Sequence, residues 1–168
     1  MIMNIELRRM SMSDAGTIAQ LANNKKIWDN VRDQMPFPFG LEHAETFINR
    51  TLEEEVFKTF GIFKDGLLCG VIGLHPQKDV YRLSAELGYW IGESHWGKGL
   101  ATQAVKLMVD YGFNKLDLIR IYAGVFEYNE ASMKVLEKNG FEKECILRKA
   151  VIKNGKIWNE HRYAIIKN

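Results

Sequence analysis

Partway along the chain the spacing of apolar residues changes from that of a helix to that of a strand, and this change limits the fold more than any other feature. Before it, Ile18, Ala19, Leu21 and Ala22 fall on one helical face behind Ser13-Asp14. Ala44, Phe47, Ile48 and Leu52 repeat that spacing over 41–53. After it, 56–63 and 67–74 read as two strands joined at Lys64-Asp65-Gly66, and 83–91 reads as a third. A first strand spans 3–10, where Met3, Ile5 and Leu7 alternate with Asn4, Glu6 and Arg8, and a short helical stretch covers 27–32. Two prolines in Met35-Pro36-Phe37-Pro38-Phe39-Gly40 forbid a helix or a central strand, which leaves an aromatic loop. The second half continues with a helix over 100–114, its apolar side formed by Ala101, Ala104, Val105, Met108 and Tyr111, and a strand over 119–125. A helix over 130–138 ends before Gly140, and strands 142–152 and 157–166 flank Asn154-Gly155-Lys156. The sum is an α+β fold: one mixed, mostly antiparallel sheet flanked by helices on both faces, in a single domain over 1–168.

Composition removes several classes of function. The 23 Lys and Arg nearly balance 21 Asp and Glu, a net charge of +2, so no basic excess points to a nucleic-acid partner. No apolar run approaches the ~18 residues of a membrane span. The opening stretch, Met1 to Arg9, lacks a basic segment leading an apolar one, so no signal peptide is expected. Cys69 and Cys145 sit far apart in apolar segments and read as reduced, buried thiols of a cytoplasmic protein. The histidines, His43, His75, His95 and His161, have no ligand spacing, and no metal is expected.

One segment carries chemistry. The strand 87–91 runs into Gly92-Glu93-Ser94-His95-Trp96-Gly97-Lys98-Gly99, and Leu100-Ala101-Thr102 opens a helix. The first turn of a helix leaves N–H groups unpaired at the positive end of its dipole, and glycines let an anion approach the backbone. Lys98 adds a full charge. A plain strand-to-helix turn also favours glycine, so the loop alone leaves both readings open. Residues 92–98 fit the Gly-x-x-x-x-Gly-Lys of a nucleotide-binding P-loop, but Gly99 stands where that motif needs Ser or Thr for magnesium. The nearest acid after an apolar run, Asp110, falls inside the long helix.

The segment Trp96-Gly97-Lys98-Gly99-Leu100-Ala101 instead resembles the Gln/Arg-x-x-Gly-x-Gly/Ala signature of the GNAT superfamily of acyl-CoA-dependent N-acetyltransferases, with Trp96 in place of Gln or Arg. That replacement, with Glu86-Leu87-Gly88-Tyr89-Trp90-Ile91 before it, is similar to the branch of ribosomal-protein alanine and serine acetyltransferases of the RimJ/RimL type. A second block, Asn129-Glu130-Ala131-Ser132 with Glu137-Lys138-Asn139-Gly140-Phe141, resembles the Asn-x-x-Ser…Glu-Lys-x-Gly-Phe stretch of the same family. The order of elements matches as well, so the resemblance covers nearly the whole chain.

The resemblance implies an acetyl-CoA-dependent N-acetyltransferase. Acetyl-CoA would lie where strands 87–91 and 119–125 diverge. Its pyrophosphate would accept bonds from the backbone of Gly97, Lys98, Gly99, Leu100, Ala101 and Thr102. Its pantetheine would pair with the backbone of Trp90 and Ile91, and Asn129 would bind the arm. The acceptor would be a primary amine on a small molecule or a peptide, with a protein N-terminal amine as one candidate. The family also implies pairing of two copies through sheet edges and the C-terminal strands.

Transfer to an amine requires a base, polarisation of the thioester carbonyl and a proton for the leaving thiolate. Glu86 is the candidate base, with a salt-bridged edge carboxylate as its alternative role, and a strand N–H near Ile91 would polarise the carbonyl. The family's usual acid is a tyrosine at the position of Leu136. Leucine donates no proton, so the resemblance turns to Ser132, whose other role is that of an ordinary helix-start serine. Absence of the tyrosine also admits an acyl-CoA-binding module without turnover. Among the aromatics near the 35–40 loop, Trp28 is assigned to the core and Phe37 to an acceptor cleft, with Asp33 drawing an ammonium group to its opening.

Overall fold

The structure, a computed structural model, describes residues 4–168. Seven strands form one sheet in the order β1-β2-β3-β4-β5-β7-β6: β1 (Ile5–Arg8), β2 (Thr59–Lys64), β3 (Leu67–Pro76), β4 (Ser84–Ile91), β5 (Arg120–Phe126), β6 (Glu142–Lys153) and β7 (Lys156–Ile166). The helices are α1 (Ala15–Ala22), α2 (Lys25–Trp28), α3 (Leu41–Leu52), α4 (Leu100–Lys115) and α5 (Glu130–Lys138). The sheet is mixed as expected: β1–β2, β2–β3, β5–β7 and β6–β7 are antiparallel, and β4–β5 is parallel. Met3, the first residue of the expected opening strand, lies outside the described residues.

Two hairpins have the local chemistry their turns demand. Asp65 and Gly66 take φ of 51° and 81° between β2 and β3, and Asn154 and Gly155 take 53° and 72° between β6 and β7. Two consecutive positive φ values make a type I′ turn, whose twist matches that of the strands it joins.

The chain divides into two compact units. One comprises residues up to Gly73 together with Tyr89–Ala104. Its core gathers Ala15, Ile18 and Ala22 of α1, Ala44 and Ile48 of α3, and Phe63, Leu68 and Val71 of β2 and β3, with Met10 and Phe39 from the connecting loops. Spacings of three and four along α1 and α3 turn one face of each helix inward. The expected helix from Ser13 begins later, because Asp14 accepts the N–H of Ser11 (2.8 Å) and closes a 3-10 turn over Met12–Asp14. The second helical stretch shifts to Lys25–Trp28, where the Asn24 side chain accepts the N–H of Lys26 (2.9 Å). β2 starts at Thr59 rather than at position 56. The Glu54 carboxylate takes the N–H groups of Lys58 (2.9 Å) and Thr59 (3.2 Å), which holds the approach to the strand in a turn.

The other unit comprises Leu74–Gly88 and Val105–Asn168. Ala85 and Leu87 of β4, Ile121, Ala123 and Val125 of β5, and Tyr163 of β7 are buried, as are Val105 and Met108 of α4 and Met133 and Leu136 of α5. Alternation along the strands sends their other residues to the opposite face. α5 stops in a Schellman motif: Gly140 adopts φ of 82°, and its N–H and that of Phe141 donate to the carbonyls of Glu137 (3.0 Å) and Leu136 (3.1 Å). One expectation fails here. Cys69 is buried, but Cys145 is exposed, because it lies on β6 at the end of the sheet order, next to a register shift.

Tyr163 joins β7 to α5, its hydroxyl donating to Glu137 (3.0 Å). Burial first, and that bond second, push the phenol up to about 12. The stability this group contributes is complete below the ordinary phenol value of about 10 and is lost as pH rises through about 12. Urea denaturation over that alkaline range should show a smaller decline for Tyr163→Phe than for the parent chain.

Candidate active site

The loop after β4 is shaped by its own backbone. Gly92 donates its N–H to the carbonyl of Cys69 (2.8 Å) and so remains tied to β3. A Cβ there would stand 2.6 Å from Cδ2 of Leu21, so a larger residue would force that side chain to move. A 3-10 turn over Glu93–His95 follows, closed by His95 N–H to Gly92 O (2.9 Å) and Trp96 N–H to Glu93 O (3.1 Å). Gly97 and Gly99 then take φ of 72° and 73°, and α4 begins at Leu100. The carbonyl of Gly99 accepts the N–H of Gln103 (3.2 Å), which makes Gly99 the first carbonyl of the helix. The N–H groups before Gln103 have no carbonyl one turn earlier within the helix to bond.

The side chains in this loop do different jobs. Leu100 is buried and anchors the helix start, so its contribution to an anion would be its N–H alone. Lys98 is exposed and bonds the carbonyl of Ser94 (2.9 Å), keeping its charge within the loop. Desolvation, followed by the charges of Lys98 and Lys64, lowers the His95 pKa below its ordinary value. Trp96, standing where the related signature has Gln or Arg, donates its indole N–H to the carbonyl of Ile91 (2.7 Å). That bond fastens the loop to the last residue of β4, and sequence reading gave no sign of it. Trp90 is half-buried against the core of its unit, with its carbonyl 2.2 Å from where a Cβ on Gly70 would be.

The same unit holds the aromatic loop. Trp28 donates its indole N–H to Met35 O (3.0 Å) and stacks obliquely on Phe37, ring centres 5.9 Å apart. Phe37 is 40% exposed and Phe39 only 7%, so Phe39 belongs to the core and Phe37 to the surface; Trp28, assigned to the core, is half-buried. Asp33 is exposed nearby.

Glu86, Asn129 and Ser132 belong to the other unit. Glu86 lies opposite Tyr122 in the β4–β5 register, which runs from Ser84↔Arg120 to Glu86↔Tyr122. It is half-buried, on the face away from Ala85 and Leu87. Asn129 caps α5, its side-chain oxygen accepting the N–H of Ser132 (3.2 Å), which leaves its amide NH₂ for other partners. Ser132 is half-buried in the first turn, and Leu136 is fully buried one turn later.

Register reveals a group that sequence reading missed. Through the pairs Glu86↔Tyr122, Gly124↔Arg162 and Phe126↔Glu160, all these residues share one face. The Glu160 carboxylate occupies the space a Cβ on Gly124 would need, 2.3 Å from it, and accepts a bond from Arg162 (2.8 Å). The Arg162 guanidinium also lies 5.1 Å from the ring centre of Tyr122. The only sequence signal was the alternation of polar residues with Tyr163 inside the last strand.

Comparison with known proteins shows the family and the fold. The family model described as an acetyltransferase (GNAT) domain matches residues 4–142. A probable N-acetyltransferase, YjcK of Bacillus subtilis (strain 168), is 44% identical over 131 residues, covering 77% of this chain and 72% of its own length. Among solved structures, RimL, a ribosomal L7/L12 alpha-N-protein acetyltransferase in complex with coenzyme A, superposes with a TM-score of 0.84 at 25% identity, over 96% of this chain and 93% of that one. Spermidine N-acetyltransferase from Vibrio cholerae, in complex with CoA and spermine, superposes at 0.82 with 26% identity, over 96% and 95%.

The Trp96–Ile91 bond can be tested alone. Trp96→Phe keeps most of the ring but leaves the Ile91 carbonyl unbonded, and should cost about 1 kcal/mol of stability. Denaturant unfolding reads that loss, and an unchanged midpoint would show that the bond contributes nothing.

Proposed function

The chain belongs to the GNAT acetyltransferase family, an acyltransferase that uses acetyl-CoA as donor, and from that premise we propose that it acetylates a primary amine, with a protein N-terminal amine as acceptor, in the manner of the RimJ/RimL branch. The observation that carries the reading is the loop from Gly92 to Gly99, with Gly97 and Gly99 at positive φ ahead of α4. The residues fit the donor: a Cβ on Gly97 would meet nothing within 4 Å, so the backbone there is open to a bulky anion. The N–H groups of Gly97, Lys98, Gly99, Leu100, Ala101 and Thr102 would hold the pyrophosphate, and the backbone of Trp90 and Ile91 would hold the pantetheine. Since Trp96 already occupies the carbonyl of Ile91, that residue would contribute its N–H as the donor to the thioester carbonyl. Asn129, its oxygen committed to the cap of α5, would offer its NH₂ to the arm.

The chemistry is divided among few groups. An alkylammonium titrates near ~10, so a base must take its proton before attack. Glu86 takes that proton, the amine nitrogen bonds the acetyl carbon, the carbon–sulfur bond breaks, the Ser132 hydroxyl gives a proton to the thiolate, and the second proton lost by the nitrogen passes through water to restore that hydroxyl. Asp33 and Phe37 would serve the acceptor. Two further readings have more general support. β6 ends the sheet order with Ile146 and Ile152 exposed, which suits pairing of two copies. Both cysteines are free thiols, in keeping with a cytoplasmic setting.

Three variants test the assignment. Gly99→Trp should abolish acetyl-CoA binding in calorimetry, and an unchanged affinity would sink the loop assignment. Glu86→Gln should lower kcat by about 10²-fold or more with acetyl-CoA affinity kept, and Ser132→Ala should lower it less. Full turnover in both would remove them from the mechanism. Release of free thiol in a screen of peptides beginning with Ser, Ala or Thr, beside polyamines, separates a protein acceptor from a small one, and turnover from binding alone.

A further inference from the structure

The segment from Asn23 to Gly40 carries Asp33 and Phe37, the residues proposed above to face the acceptor, and only one helical turn of it is regular. It is held in shape by side chains: Asn23 accepts the N–H of Phe39 (3.0 Å), Trp28 reaches Met35 O (3.0 Å), and Asn30 bonds the carbonyl of Lys26 (2.8 Å). From this segment two donors converge on one carboxylate in the loop after β4. Asn24 donates its NH₂ to one oxygen of Glu93 (2.7 Å), and Lys26 pairs with the other. Lys26 first, and Asn24 second, hold the Glu93 carboxyl below the usual carboxylate range. Beside this contact Leu21, one residue before the end of α1, fills the space that a Cβ on Gly92 would need.

A lone surface ion pair contributes little. This one differs because both carboxylate oxygens are engaged by chemically distinct donors, and because Asn24 simultaneously caps α2 with its own oxygen. Glu93 is also the first residue of the 3-10 turn, and its carbonyl accepts the N–H of Trp96 (3.1 Å), the residue that fastens the loop to Ile91. An unbroken run of bonds therefore leads from Phe39, through Asn23 and Asn24, to Glu93 and Trp96.

We propose that Glu93 is a positioning residue that ties the acceptor-side segment to the diphosphate loop, so that filling the donor site further restrains residues 33–39. The proposal rests on the reading of 97–102 as that loop. By linkage, whatever donor binding does to the acceptor segment, acceptor binding does to donor affinity. Loss of the tie should raise KM for the amine about fivefold or more while kcat changes little, since no reacting atom touches Glu93.

The test is hydrogen–deuterium exchange of the full chain with and without CoA. In the parent protein CoA should slow exchange at 92–102 and also at 33–39. In Glu93→Ala it should slow exchange at 92–102 alone, and Glu93→Gln, which still accepts from Asn24, should keep part of the distant protection. Lys26→Met reads the same tie from its other end if Glu93→Ala folds poorly. Equal protection of 33–39 in parent and variants, or none in the parent despite protection at 92–102, overturns the coupling alone. Absence of protection at 92–102 in the parent overturns the loop reading, and the coupling with it.

Discussion

What the proposed donor site depends on is the start of α4, because the first N–H groups of a helix lack a carbonyl one turn earlier within it. Such groups attract an anion only if they are already aimed at it, because ordering a flexible loop at the moment of binding costs much of the affinity gained. The chain settles that cost in folding. Gly92 is tied to Cys69, the 3-10 turn closes on itself, Trp96 holds Ile91, and Lys98 holds Ser94. Recognition by main chain, as proposed, would also account for the tolerance of Trp96 at a position where the related signature has Gln or Arg. What the position supplies here is a donor that fixes the loop, and an indole does that.

In the second unit the period-two rule separates apolar side chains from polar ones. Ala85, Leu87, Ile121, Ala123 and Tyr163 turn to the buried face, and Glu86, Tyr122, Arg162 and Glu160 turn to the other. A slip of one residue in any of these pairings would exchange the two sets. Gly124 belongs to the polar set through absence: it leaves room for a buried carboxylate that Arg162 neutralises. A methyl group there would push the carboxylate aside, so the glycine reports on a neighbour two strand positions beyond the residue it faces.

Legibility in the sequence followed how local the cause was. Asp65-Gly66, Asn154-Gly155 and Gly140 were readable because a positive φ leaves few residue choices, and the glycine loop was readable for the same reason. The start of β2 was not, since it is set by Glu54 reaching forward to Lys58 and Thr59, a bond that periodicity does not encode. Exposure of Cys145 depends on β6 ending the sheet, which is a property of strand order. The bonds of Trp96 and Glu93, and the meeting of Glu160 with Gly124, likewise require the folded register. The polar contacts that shape the site are thus the part that sequence alone conceals.

The missing tyrosine narrows the question of the proton donor. Leu136 is fully buried, and it lies one turn along α5 from Ser132, so the two share a helical face. A side chain at 136 in this chain serves the core, whereas the same face at 132 is only half-buried. The first turn of α5 also presents the positive end of its dipole, where a thiolate is better tolerated than elsewhere on the helix. On the proposed mechanism, a serine one turn nearer the helix start would give its proton where the helix dipole stabilises the leaving anion, so a weaker acid than tyrosine would serve.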